Sequence, residues 1–243
     1  MNLRVAVVVP VFNEGNSLRD TLPQLVTAIY KIDNSIMVFY VNDGSTDNTL
    51  AVLNEIIRLK AFSNLKILSL KENKGYGGAL RYGATIAYEN GFQATVFMDS
   101  DLTNPPSEIV ALISKLDKYD LIKASRYVTG ADTSEVPWRR RFFSIVGNFL
   151  LRILFKSPIR DITNGFRAWR LEEYLSFECE STGFDSIIQE FYFARMKNFR
   201  IAEIPSTLKS RGENLQASSA SYSAKVLFNY LKPGLFFFAR SLK

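Results

Sequence analysis

A chain of 243 residues, 47% hydrophobic and 22% charged, lies within the single-domain range and can bury a substantial core, which excludes a disordered polypeptide. It has no histidine, so a Ser-His-Asp triad, a histidine base and a histidine-ligated metal are excluded together; catalysis has to run on carboxylates, cations, hydroxyls or a hard metal. The net charge is +6, and the single cysteine, Cys179, excludes internal disulfides and cysteine-rich metal sites and reads as a small packing residue.

In chain order, β-branched runs at 5–11, 36–41, 65–70, 95–98 and 121–124 predict strands, and the patterns between them predict helices. That alternation predicts the doubly wound α/β class: a mostly parallel, Rossmann-like sheet with helices on both faces, whose ligands lie beyond the carboxyl ends of the strands. Residue 1 leads almost directly into the first strand without the charged, apolar and small-residue regions of a secretory signal, so a cytosolic protein is expected. The small and polar residues of 129–137 predict a mobile loop over a site. Residues 138–155 predict a helix with apolar residues on two faces, either buried on both sides or turned on one side to lipid. The tail, 222–238 with Pro233, Gly234 and flanking lysines and arginines, predicts an interfacial amphipathic element or a helix packed back on the core. Its apolar stretch is shorter than the roughly 20 residues that span a bilayer.

Charge is uneven along the chain. Residues 123–170 carry 10 basic side chains against 3 acidic, and 216–243 carry 4 basic and none acidic, an arrangement suited to phosphates, acidic lipid or nucleic acid.

Chemistry-bearing residues cluster where strands end. Asn13 and Glu14 follow the first strand, where Asn13 or Asn16 could also cap a helix. Asp43 follows the second within Asn42-Asp43-Gly44-Ser45-Thr46-Asp47; capping accounts for Asp47 or Ser45 but not for Asp43, which can accept from a nucleobase or ribose. After the third strand, Asn73-Lys74-Gly75-Tyr76-Gly77-Gly78-Ala79 lets backbone approach a ligand or a neighbouring helix closely, and it lacks the ending of a P-loop. After the fourth come Asp99-Ser100-Asp101. Two carboxylates two residues apart at a buried strand end repel unless a cation lies between them, and Mg²⁺ or Mn²⁺ bridging to a diphosphate supplies it. Helix capping by Asp101, Thr103 or Asn104 accounts for only one of the two acids.

In this order and spacing the four motifs resemble the family 2 glycosyltransferases of GT-A fold. Ser125-Arg126-Tyr127, the segment from Trp138 with Ser144 and Asn148, Asp161-Ile162-Thr163-Asn164-Gly165-Phe166-Arg167 and Glu203-Ile204-Pro205 resemble the branch that glycosylates dolichyl or polyprenyl phosphates. The resemblance implies that Pro10, Phe12, Glu14 and Asp43 hold the nucleoside of a nucleotide-sugar donor, with Val41, Lys74, Gly75 and Ser100 completing that site. It implies that Asp99 and Asp101, with Thr103, bind metal and diphosphate. Arg126, Arg139, Ser144 and Arg211 would meet the acceptor phosphate or the donor diphosphate. This chain departs from the branch in reading Asp-Ser-Asp for Asp-Ala-Asp, and Arg211-Gly212-Glu213-Asn214 where Arg-Gly-x-Ser-Lys is usual.

The expected organisation is a catalytic domain over 1–215, with a donor half 1–124 and an acceptor half 125–215, followed by a C-terminal amphipathic helical tail over 216–243. The expected reaction is inverting transfer of a hexose from a GDP- or UDP-sugar to a polyprenyl phosphate at the cytoplasmic face of a membrane, reached directly or through a membrane partner protein. A phosphate acceptor, with a second pKa near 6, is largely dianionic at neutral pH and needs no base, which suits a chain without histidine. Asp101, Arg126 and Arg211 would carry the catalysis. With a saccharide acceptor instead, Asp185 or Glu190 would serve as base. A nucleotidyltransferase is a further alternative, though such enzymes usually carry a glycine-rich basic loop where this chain has Phe12-Asn13-Glu14. The acidic strand-end cluster argues against a nucleic-acid backbone lying over the sheet.

Overall fold

The computed structural model of the chain describes residues 3–60, 62–209 and 224–240. Strands form at Val5–Val11 (β1), Met37–Asp43 (β2), Leu65–Leu70 (β3), Ala94–Phe97 (β4) and Leu121–Ser125 (β5), within a residue or two of the runs that predict them. Two more, Arg167–Arg170 (β6) and Ile201–Pro205 (β7), carry no such run. The helices are Gly15–Ile32 (α1), Thr49–Lys60 (α2), Gly75–Glu89 (α3), Ile109–Ile113 (α4), Trp138–Leu154 (α5), Leu171–Leu175 (α6), Ser186–Met196 (α7) and Ala224–Arg240 (α8).

The seven strands form one sheet in the order β3-β2-β1-β4-β6-β5-β7. All neighbours are parallel except β6, which runs antiparallel to both β4 and β5. A strand from later in the chain is thus inserted between β4 and β5, so both parts of the chain share one sheet. Alternation along β1 feeds both faces: Val5, Val7, Val9 and Val11 join Leu18, Leu22 and Leu25 of α1 on one side. Ala6 and Val8 join Leu80 and Ala84 of α3, Trp169 and Phe191 on the other. A Cβ on Gly83 would come within 2.5 Å of Val8 Cγ1 and 2.9 Å of Val41 Cγ2, so α3 lies at a distance from the sheet that only glycine permits.

The helix α5 resolves the alternatives for its two apolar faces. Asn148 and Leu151 are its buried residues, while Trp138 and Phe143 are 72% and 62% exposed and Phe142, Ile145, Val146, Phe149, Leu150 and Ile153 are exposed beside them. One face meets the core and the other meets solvent. The tail helix α8 is packed back, Phe237 lying 5.4 Å from Phe155 and 6.3 Å from Tyr192 between ring centroids, yet Leu235 and Phe236 stay exposed. No helix among the described residues is long and apolar enough to cross a membrane.

Candidate active site

The chain leaves β4 into Asp99-Ser100-Asp101, beside the turn that leaves β1. Asp101 Oδ1 accepts from Thr103 N at 3.0 Å and from the Thr103 hydroxyl at 2.8 Å. Thr103, expected among the metal ligands, therefore orients Asp101. Between them Leu102 has φ of 56°, a left-handed conformation costly for a branched side chain, and nothing in the sequence marks it. The buried Ser100 hydroxyl donates to Glu14 Oε2. An alanine there, as the related branch usually has, could not make this bond. Ser100→Ala should free the Glu14 carboxylate and raise the donor KM about fivefold, the equivalent of one hydrogen bond of about 1 kcal/mol, with kcat nearly unchanged; steady-state kinetics with the donor varied check this.

The neighbouring turns are tied to one another. Asn13, at φ 56°, accepts at Oδ1 from Thr46 N at 2.9 Å and donates from its own N to Ser45 Oγ at 3.0 Å. It links two strand ends and does not cap α1; nor does Asn16, since Glu14 is the N-cap and makes no side-chain cap bond. Asp47 fits the capping expectation, accepting from Thr49 N at 2.9 Å and also from Gly15 N at 3.3 Å. Asp43 Oδ1 accepts from Lys74 N at 2.7 Å. Burial raises its pKa, opposed by the Lys74 and Gly75 N–H groups.

Phe12, just after β1, is exposed and Pro10 is half-buried. The Val41 side chain is fully buried against Gly83, which leaves only its backbone to meet a ligand. Gly75, at φ 76°, lies close against the chain: a Cβ there would lie 2.5 Å from Thr182 O, and Gly77 N donates to the same oxygen at 2.8 Å. The glycine run packs α3 against the segment that leads into α7. Lys74 is exposed, its Nζ 3.8 Å from Glu72.

Behind the carboxylate pair, a Cβ on Gly165 would lie 2.8 Å from the Tyr76 hydroxyl and 3.7 Å from Asp99 Oδ2. The Tyr76 ring stacks on Phe184 at 4.5 Å, and burial, then the Asp99 charge, raise its pKa well above the ordinary value. Gly165→Ala should therefore push Tyr76 off its seat and destabilise the fold by about 1–3 kcal/mol; pairing it with Tyr76→Phe should restore most of the loss in a thermal melt. The described residues contain no cluster of three or more His, Cys, Asp or Glu side chains that could hold a metal. Two carboxylates leaving one strand end fit a hard cation that completes its shell with phosphate oxygens and water.

After β5, Arg126 donates from Nε to Asp161 Oδ2 at 2.7 Å, from Nη2 to Asp161 Oδ1 at 2.8 Å and from Nη2 to Thr163 Oγ1 at 2.9 Å. Burial alone would raise the pKa of Asp161, and the Arg126 guanidinium brings it below the ordinary value. Asp161 is fully buried. The loop around it is held from three elements. Asn148 of α5 accepts from Ile162 N at 2.7 Å and donates to Thr163 Oγ1 at 2.9 Å; Glu203 of β7 accepts from Asp161 N at 2.8 Å; Lys123 of β5 donates to Asn164 O at 2.6 Å. Burial and then Arg167 push Lys123 down to about 7. Since the unfolded chain keeps this proton to about pH 10.4, the penalty of charging Lys123 in the fold is full below pH 7 and is relieved as pH rises from there. Lys123→Met should flatten that part of a stability-against-pH curve, measured by urea denaturation between pH 6 and pH 10.

A cavity of about 450 Å³ is lined by Arg126, Tyr127, Asp132, Thr133, Arg141 and Ile145 among others. Arg141 lines this cavity, whereas the Arg139 guanidinium lies 5.5 Å from the exposed Trp138 ring. Ser144 stands beside Tyr127. The 129–137 loop is fastened by Asp132 N to Ser206 O at 3.3 Å and by Leu208 N to Asp132 O at 2.8 Å. Arg211 lies outside the described residues. Glu190, expected as an alternative base, is 1% exposed and holds Arg167 with both oxygens, at 2.7 and 2.6 Å, and the indole N–H of Trp169 at 3.2 Å. It is a buried counter-ion closed off from a substrate. Asp185, half-buried, is the N-cap of α7.

The profile of glycosyl transferase family 2 matches residues 6–174, more than half of the chain. A polyprenol monophosphomannose synthase of Mycolicibacterium smegmatis is 29% identical over 236 residues, covering 96% of this chain and 87% of that protein. An undecaprenyl-phosphate mannosyltransferase of Micrococcus luteus is 28% identical over 236 residues, covering 96% of this chain and 95% of that protein. Glucosyl-3-phosphoglycerate synthase from Mycobacterium tuberculosis, solved with Mn²⁺, uridine diphosphate and phosphoglyceric acid, shares the fold at a TM-score of 0.69 and 19% identity, over 96% of this chain and 79% of that one. With its mostly parallel sheet and its polar residues gathered at the strand ends, the chain belongs to glycosyl transferase family 2.

Proposed function

We propose that the chain transfers a hexose, with mannose the first candidate, from a GDP- or UDP-sugar to the phosphate of a polyprenyl phosphate. The observation that carries this reading is the cavity lined by Arg126 together with Arg141 and Ile145, which lie one turn apart on the exposed apolar helix. A phosphate joined to a hydrocarbon chain needs both kinds of surface. The mannosyltransferase names of the relatives support it.

In the reaction an oxygen of the dianionic acceptor phosphate forms a bond to the anomeric carbon, while the bond from that carbon to the donor diphosphate breaks and the nucleoside diphosphate leaves with the electron pair. No proton has to be removed. Glu14 and Asp43 hold the nucleoside, Phe12 covers it, and Arg126 and Arg141, with Arg211, hold the acceptor phosphate in line. Asp99 and Asp101 would hold Mg²⁺ or Mn²⁺, which when bound offsets the charge growing on the diphosphate.

Residues 1–124 serve the donor and 125–215 the acceptor. The apolar face of α5, with the 216–243 tail, rests in the interface of the cytoplasmic membrane face, where the acceptor resides, or against a membrane partner protein. Arg141→Ala should raise the acceptor KM about 10-fold to 100-fold, since a bond between charged groups contributes about 1.5–3 kcal/mol, and leave the donor KM unchanged. Arg139→Ala should change neither. Equal effects of the two would place the acceptor phosphate elsewhere.

A further inference from the structure

A second cavity, of about 310 Å³, opens at the other end of α5 and is lined by Phe149, Arg152, Ile153, Lys156 and Ser157. It combines exposed apolar side chains with two cations. Arg152 Nε is buried with no hydrogen-bond partner, an arrangement that ordinarily signals a missing ligand or water. Arg195 sits behind it, donating to Lys156 O at 3.4 Å, and its own Nε is likewise buried and unpartnered. Among the described residues none of these three cations forms an ion pair. The helix itself contains four arginines and no acid.

The position of this cavity relative to the first one suggests what fills it. Arg141 and Arg152 are 11 residues apart in the sequence, which at about 100° and 1.5 Å per residue puts them roughly 20° apart around the helix and about 16 Å apart along it. Both arginines therefore lie on one flank of the exposed apolar face. A surface that delivers a phosphate to the first cavity presents its neighbouring headgroups to the second. Free phosphate would have no use for the exposed Phe149 and Ile153, whereas a phospholipid would cover them with the first carbons of its acyl chains.

We propose that this second cavity binds the phosphate of an anionic bilayer phospholipid, through the Arg152 guanidinium and the Lys156 ammonium, and so lays α5 flat on the membrane with the acceptor cavity facing it. This rests on the lipid-acceptor reading for its orientation, but it concerns a contact that transfers no sugar. The guanidinium fork is what separates a built site from diffuse attraction, because a lysine keeps the charge and loses the paired donors.

The test is co-sedimentation of the full chain with phosphatidylcholine vesicles with and without phosphatidylglycerol. Wild type should bind the anionic vesicles much more tightly. Arg152→Gln with Lys156→Gln should weaken that binding about 30-fold or more, at roughly fivefold for each cation near a charged membrane, Arg152→Lys about threefold to fivefold because it keeps the charge and loses the paired donors, and Arg139→Lys should leave it unchanged. Arg152→Lys binding as tightly as wild type would mean diffuse attraction only and overturn the proposal. So would saturable heat from inorganic phosphate alone in calorimetry that Arg152→Gln abolishes and Arg141→Ala does not, which would make this a site for a free anion. Thermal melts confirm that each variant is folded. If vesicle binding behaves as stated but no sugar reaches a polyprenyl phosphate, the functional reading fails and the membrane site stands.

Discussion

Asp101→Asn should lower kcat/KM for sugar transfer about a thousandfold while leaving the melting temperature nearly unchanged. Asp101 and Asp99 are the two acids that leave the β4 strand end, and the half-buried Asp101 is aimed by two hydrogen bonds from Thr103 to one of its oxygens. Asparagine keeps an oxygen able to accept both, so the turn through the left-handed Leu102 is preserved. The formal charge that would face a cation and the donor diphosphate is lost. Stabilising the charge on a leaving diphosphate is worth several kcal/mol, hence the magnitude. The check has two arms: kinetics at saturating Mn²⁺ or Mg²⁺, and nucleoside diphosphate binding with and without EDTA. EDTA should weaken binding to wild type strongly and to the variant little. A variant within a few-fold of wild type would remove Asp101 from the centre of the reaction.

Glu190→Gln should produce the largest change in stability, a loss of about 3–5 kcal/mol, because it leaves the Arg167 guanidinium buried without its counter-charge. Arg167 and Glu190 are each 1% exposed, and the pair is closed by two charged hydrogen bonds and the Trp169 indole. For a chain of this size that corresponds to a melting temperature lower by roughly 10 °C. The double variant Arg167→Met with Glu190→Leu should recover most of it, since a buried pair replaced by apolar side chains of similar volume is often neutral. Arg167 also donates to Gly165 O at 2.6 Å, so the single variant should loosen the Gly165 cradle behind Asp99 and weaken donor binding too. Asp185→Asn should alter neither stability nor transfer to a phosphate acceptor.

The β1–β5 half of the sheet is legible from the sequence because its strands carry dense β-branched and apolar runs, β1 and β4 being buried almost throughout and even the edge strand β3 keeping Leu65, Ile67, Leu68 and Leu70. The strands β6 and β7 are not. Arg-Ala-Trp-Arg reads as polar until Arg167 meets Glu190 from another helix, and Ile-Ala-Glu-Ile-Pro lies on the sheet edge, where its Glu203 serves the 160–163 loop.

At the site, the strand-end acids are legible from spacing and resemblance, but their partners are not. Ser100 to Glu14 and Asp43 to Lys74 join residues far apart in the chain, and only the folded turns bring them together. Arg139 and Arg141 illustrate a finer limit: both lie in one basic run, and the phase of α5 decides which enters the cavity. The glycine run reads equally as room for a ligand or for a neighbouring helix, and the bond from Gly77 to Thr182, far along the chain, shows the packing that the sequence leaves open.

The most direct measurement is transfer of labelled sugar from a panel of GDP- and UDP-sugars to a short-chain polyprenyl phosphate, with Mn²⁺ or with EDTA, using Asp101→Asn as control. A lipid-linked product that requires both the metal and Asp101 is the expected result, and the donor that yields it identifies the base and the sugar together. Metal-dependent hydrolysis of a donor with no lipid-linked product from any member of the panel would contradict the lipid acceptor and move the acceptor to a saccharide.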